Sequence, residues 1–137
     1  MMMQVLNYWA VLGAAVAAMV IGSLWYSPLL LGNPWMKLNN ISAKDSKEMS
    51  KGMFSAMFGM FVGSLIMSYV LAYVLVLVGA VTISSALVAA LWLWLGFIVV
   101  PYSSGVLFER RPVGLFFINI GYYLVGMLVM ALILTAW

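Results

Sequence analysis

The chain has no cysteine and no histidine, and only three acidic residues among its 137 positions. Without thiols there is no disulfide framework and no thiol redox chemistry. Without imidazole there is no axial haem histidine, and zinc and copper sites lose their usual donors. A hydroxyl nucleophile would also lack its commonest general base. Charged residues of all kinds amount to 7%, against about 25% in a typical soluble domain. Hydrophobic residues supply 67%. A soluble chain of this length cannot hide so much apolar surface, whereas lipid makes hiding it unnecessary. The net charge of +3 therefore reads as topology and attraction to anionic headgroups, not as a nucleic-acid footprint.

What the chain does have is long apolar runs. Four are legible, at about 5–31, 53–78, 84–107 and 113–136, and each meets the ~20 residues that a helix needs to cross a bilayer core. The basic residues fall between them unevenly. Lys37, Lys44, Lys47 and Lys51 lie between the first and second runs, Arg110 and Arg111 between the third and fourth, and the turn Gly79–Ile83 carries no charge. The positive-inside rule places both basic loops, 32–52 and 105–112, in the cytoplasm and both termini outside. The expected fold is an all-α integral membrane protein, one four-helix transmembrane bundle over residues 1–137. Met1-Met2-Met3-Gln4 lacks the basic start of a signal peptide, so the first span is expected to be retained.

The first loop has internal order. Asn33 followed by Pro34 reads as an N-cap and first helical position, opening a short interfacial turn with Trp35, Met36 and Leu38. Ser42 and Asp45 resemble a second capping pair. Lys44 and Glu48 sit one turn apart, which starts the second span near Ala43. This stretch serves either as a charged linker that fixes topology or as a docking site for a partner or lipid. Small residues mark the helix faces. Ala10, Ala14, Ala18 and Gly22 form a smooth ridge, and Ser55, Gly59 and Gly63 form another, with Ser64, Ser68 and Ala72 beside it. Such ridges let helices approach closely in lipid. The expectation is that Ala14, Ala18 and Gly22 pack against Gly59 and Gly63.

Polar side chains gather at one depth. At 1.5 Å per residue, Tyr26-Ser27-Pro28, Pro101-Tyr102-Ser103-Ser104 and Asn119 all fall within ~5–15 Å of the cytoplasmic surface, above Glu109-Arg110-Arg111-Pro112. Pro28 and Pro101 each remove a helical hydrogen bond and should bend their helices, freeing carbonyls near Leu24 and Phe97. An Asn within a span is costly unless paired. The candidate ligand or lipid site is therefore Tyr26, Ser27, Tyr102, Ser104, Glu109, Arg110, Arg111 and Asn119. In it the arginines offer planar forks to carboxylate or phosphate. The plainer reading makes Glu109 and Arg111 an ion pair at a helix end and the hydroxyls partners of bent helices.

These residues carry a resemblance. Asn7-Tyr8-Trp9-Ala10-Val11-Leu12, Leu24-Trp25-Tyr26-Ser27-Pro28-Leu29-Leu30, Pro34-Trp35-Met36, Leu107-Phe108-Glu109-Arg110-Arg111-Pro112 and Asn119-Ile120-Gly121-Tyr122 together resemble a bacterial membrane family of unknown function, DUF1761. The resemblance extends over the whole chain. It implies a small four-helix protein of the bacterial cytoplasmic (inner) membrane and supplies no activity. Three classes of function remain: a non-catalytic structural, regulatory or assembly-forming protein, a small oligomeric channel or transporter, and a membrane enzyme acting on lipid or a lipophilic substrate. The first fits the lack of reactive residues best. No acidic residue lies deep in a span to couple ion movement. No catalytic residue, metal or cofactor is expected. The expected partners are the bilayer, its anionic headgroups and further copies of the chain.

Overall fold

The computed structural model describes residues 6–27, 29–40 and 52–137. They form α1 (Tyr8–Trp25), α2 (Gly32–Leu38), α3 (Met53–Leu77), α4 (Ile83–Leu107) and α5 (Val113–Ala136), with no strand among the described residues. All but α2 are long and apolar enough to cross a membrane. Each boundary has a local cause. The side-chain oxygen of Asn7 accepts from the amides of Trp9 and Ala10 at 3.1 and 3.2 Å, capping α1. At the end of α3, Gly79 adopts φ +68°. Its amide bonds to the Val76 carbonyl while that of Ala80 reaches Leu75 at 2.9 Å. This is a Schellman closure, which needs the left-handed backbone that glycine allows. Thr82 then opens α4 through reciprocal bonds with Ser85.

The first span is shorter than the apolar run suggests. α1 stops at Trp25 and the chain folds back, with the Leu31 amide on the Trp25 carbonyl at 3.0 Å and the Gly32 amide on Ser27 at 2.8 Å. A proline at position 28 disfavours helix at the residue before it. The bend expected at Pro28 itself lies outside the described residues. Asn33 is not an N-cap, because α2 begins at Gly32 with no side-chain cap. The turn brings Gly32 against the backbone of Tyr26 and Ser27; a Cβ there would lie 2.6 Å from the Ser27 carbonyl carbon. The capping pair at Ser42 and Asp45 and the start near Ala43 also lie outside the described residues.

Helix α5 is the centre of the bundle. It packs against α1 on one flank and α4 on the other, while α3 lies along α1 and touches α4 and α5 only lightly. The core joins Ala14 and Ala18 of α1, Leu71 and Leu75 of α3, Ala86 and Ala90 of α4, and Met127, Met130 and Ala131 of α5. The small ridge of α1 is thus buried, but its expected partner is corrected. Gly59 and Gly63 are exposed, with no atom within 4 Å of a Cβ built on either. The neighbouring row faces α1 instead: Ser64, Ser68 and Ala72 are buried, and the Ser68 hydroxyl donates to the Val11 carbonyl at 2.8 Å. Only one of two adjacent rows can face α1. The serine row adds an interhelical hydrogen bond that glycine cannot make, and facing lipid would leave its hydroxyls worse satisfied. Gly22 meets the Tyr122 ring of α5, 3.2 Å from where its Cβ would be, rather than α3.

Within α4, residues Leu95–Val99 wind as a π-helical turn just ahead of Pro101. Proline supplies no N–H to the ladder and its ring crowds the carbonyl four residues back. A widened turn at that point shifts the ladder where the missing bond falls.

Candidate functional site

The α1–α2 turn and the 108–112 segment meet at one end of the bundle, here termed the basic end. Two tryptophans fix α5 there. Trp25 of α1 donates its indole N–H to the Ile118 carbonyl at 2.9 Å, and Trp94 of α4 donates to Ile120 at 2.8 Å. The Trp25 ring passes over Gly121, 3.0 Å from where a Cβ would stand. Leu38 lies the same distance from that position on Gly114, which seats α2 on the start of α5. On this frame the Tyr26 hydroxyl donates to Asn119 Oδ1 at 2.7 Å, giving the in-span amide the partner that it requires. Tyr122 donates to the Ala18 carbonyl at 3.2 Å. The Tyr26 ring stands edge-on to Tyr122 and to Trp35, with centroids 5.6 and 5.9 Å away, and Tyr102 lies 5.7 Å from Tyr123. Such pairs each add about 0.5–1.5 kcal/mol beyond burial.

Between α4 and α5 this cluster borders a cleft of about 100 Å³, lined by Tyr102, Ser104, Glu109, Arg111 and Asn119. Arg111 Nε lies 3.1 Å from Glu109 Oε2, with both side chains largely exposed, so the pair adds little to stability. It does set orientation, because the Arg111 amide also bonds back to the Gly105 carbonyl at 2.9 Å. Of the eight residues singled out from sequence, Tyr102, Ser104, Glu109, Arg111 and Asn119 therefore share the cleft, and Tyr26 joins them through Asn119. Ser27 and Arg110 do not line it. The Ser27 hydroxyl donates to the Leu24 carbonyl at 2.7 Å. Arg110 sits at φ +54°, a left-handed conformation costing roughly 1–2 kcal/mol for a residue with a Cβ. It turns the chain between its two charged neighbours. Ser104 donates to the Pro101 carbonyl at 2.8 Å, and Ser103 to that of Val100.

Chemically, the cleft offers donors. Arg111 has more N–H groups than one carboxylate can use. Asn119 spends its oxygen on Tyr26, and among the described residues no acceptor takes its amino group. Ser104 and Ser27 both donate to backbone carbonyls. Among the described residues no cluster of acidic side chains could hold a hard metal ion. Sequence reasoning passed over Trp94 and Gly121 as parts of this frame. The pairing of Trp25 with a glycine on a neighbouring span could have marked Gly121, whereas no sequence signal aims Trp94 at a backbone carbonyl.

Four apolar helices, the last of them central, with a small polar cleft at one end, mark a multi-pass helical membrane protein. The chain belongs to the family described as protein of unknown function (DUF1761), whose model matches residues 9–135. No curated protein and no solved structure matches it.

Proposed function

We propose that the chain is a non-catalytic protein of the bacterial inner membrane whose cleft holds the phosphate of an anionic lipid headgroup on the cytoplasmic leaflet. The observation that carries this reading is the placement of Arg111 beside Asn119 and Tyr102, with donors to spare, at the level where a span meets its loop. The cleft, at about 100 Å³, is of a size that suits one oxyanion group. Both serine hydroxyls among the candidate residues are committed to backbone carbonyls, which supports binding over covalent catalysis.

The test is lipid retention after purification in mild detergent, with phosphatidylglycerol, phosphatidylcholine and inorganic phosphate as probes. Arg111→Lys keeps the charge and loses the fork. It should weaken phosphatidylglycerol retention about tenfold, the equivalent of one charge-assisted hydrogen bond. Arg110→Lys should retain it unchanged. Equal retention by both variants would refute the headgroup site, and a preference for free phosphate would assign the cleft to a soluble anion.

The orientation follows from the charge asymmetry of the loops and is tested separately. Because the chain has no cysteine, single replacements report cleanly. Val81→Cys should react with an impermeant thiol reagent in intact cells, and Lys37→Cys only after permeabilisation. The reverse pattern would invert the topology.

A further inference from the structure

Further along the same face of α5 from the polar cleft lies a space of different chemistry. Because α3 leans on α1 and barely meets α5, a crevice remains between the three helices. Its outer part, about 390 Å³, is lined by Met19, Met53, Met57 and Met60, and its inner part, about 190 Å³, by Met60, Met67, Met127 and Met130. Met60 and Tyr122 line both parts, so the two adjoin. Every methionine among the described residues except Met36 borders this crevice. On α3 they recur at spacings that return to one face of a helix, descending ~21 Å from Met53 to Met67 at 1.5 Å per residue.

Two glycines hold the inner chamber open. Gly63 of α3 and Gly126 of α5 line it, and nothing lies within 4 Å of a Cβ built on either. Met127 and Met130 are buried at 7% and 1% exposure, whereas Met53, Met57 and Met60 are exposed. The thioethers thus run from an accessible mouth to a closed floor.

Thioether sulfur is neutral, needs no deprotonation and keeps its donor pair in an apolar setting. It selects soft monovalent ions over hard ones. In a chain without cysteine or histidine it is also the only soft donor, and no carboxylate lines either chamber to favour a hard cation. We propose that the inner chamber is a binding site for a soft monovalent cation, Cu(I) or Ag(I), held by the sulfurs of Met60, Met67, Met127 and Met130. Met19, Met53 and Met57 form the approach from the basic end. Tyr122 and Tyr123 also line the chamber, and aromatic rings supply further attraction for a desolvated cation. The inner chamber shares no lining residue with the headgroup cleft.

The experiment uses the whole chain, purified with an affinity tag free of His and Cys. It is dialysed against Ag(I), or against Cu(I) kept reduced with ascorbate, and metal per chain is measured by mass spectrometry. About one ion per chain in an all-sulfur shell by X-ray absorption is expected. The double variant Met60→Leu, Met127→Leu conserves volume. It should keep its helicity and elution while losing more affinity than the roughly 10–100-fold typical of removing an outer-shell partner. Gly63→Leu, which fills the chamber and leaves every sulfur in place, should also exclude the ion. Met36→Leu should bind as the parent does. Absence of stoichiometric Ag(I) binding by the parent chain, or undiminished binding by both the double variant and Gly63→Leu, would overturn the proposal.

Discussion

Replacement of Gly32 by alanine is expected to be among the most damaging single-methyl changes in the chain. The added Cβ would stand 2.6 and 2.7 Å from the carbonyl carbon and oxygen of Ser27. These are backbone atoms, so no side-chain rotation can make room. The Gly32–Ser27 and Leu31–Trp25 hydrogen bonds that reverse the chain would have to open. Overpacking typically costs about 1–3 kcal/mol, and the rigidity of the surroundings places this change at the upper end. Thermal denaturation in detergent should show the loss, and the emission of Trp25 and Trp35 should shift as the turn loosens. An unchanged melting temperature would mean that the turn is not closed through Gly32.

The second large effect is expected at Gly121. A leucine there would occupy the space that the Trp25 indole fills, with its Cβ already 3.0 Å from the ring. Displacing the ring breaks its bond to the Ile118 carbonyl and withdraws support from the adjoining Tyr26–Asn119 contact. Lost packing and a lost partly buried hydrogen bond together amount to roughly 3 kcal/mol. Gly63→Leu makes the contrast. It adds the same side chain in open space and should change stability by no more than about 0.5 kcal/mol. A detergent stability series in which Gly63→Leu proved worse than Gly121→Leu would reverse the packing assigned to α3 and α5.

The contrast between these glycines shows what was legible in the sequence. Apolar length alone announces α3, α4 and α5, whose bounds fall within a residue or so of the expected runs, the usual precision at helix ends. It fails at the end of α1, because Leu29, Leu30 and Leu31 continue the apolar run while the backbone has already turned on Gly32. The Gly-x-x-x-Gly row of α3 is a signal for close approach. The adjacent serine row competes for the same face, and the Ser68–Val11 bond decides between them. At the site, counting depth along each span is enough to bring Tyr26, Tyr102, Ser104 and Asn119 to one level. Depth says nothing of direction, so Arg110 and Arg111 look equivalent until the left-handed backbone at Arg110 separates them. The same blindness hides Trp94, whose height is plain and whose aim toward Ile120 is not.

The central place of α5 bears on how the bundle is made. Spans emerge in chain order, and α5 is the last of the four, yet it is the one on which α1 and α4 both rest. Until it enters the bilayer, α4 has only a slight neighbour in α3, and the tryptophans at positions 25 and 94 have no carbonyl to meet. The α1–α3 pair, joined through Ser68 and Val11, has its contacts before α5 enters, whereas α4 gains a firm neighbour only with α5. One helix thereby ties a preformed pair on one flank to a lone span on the other.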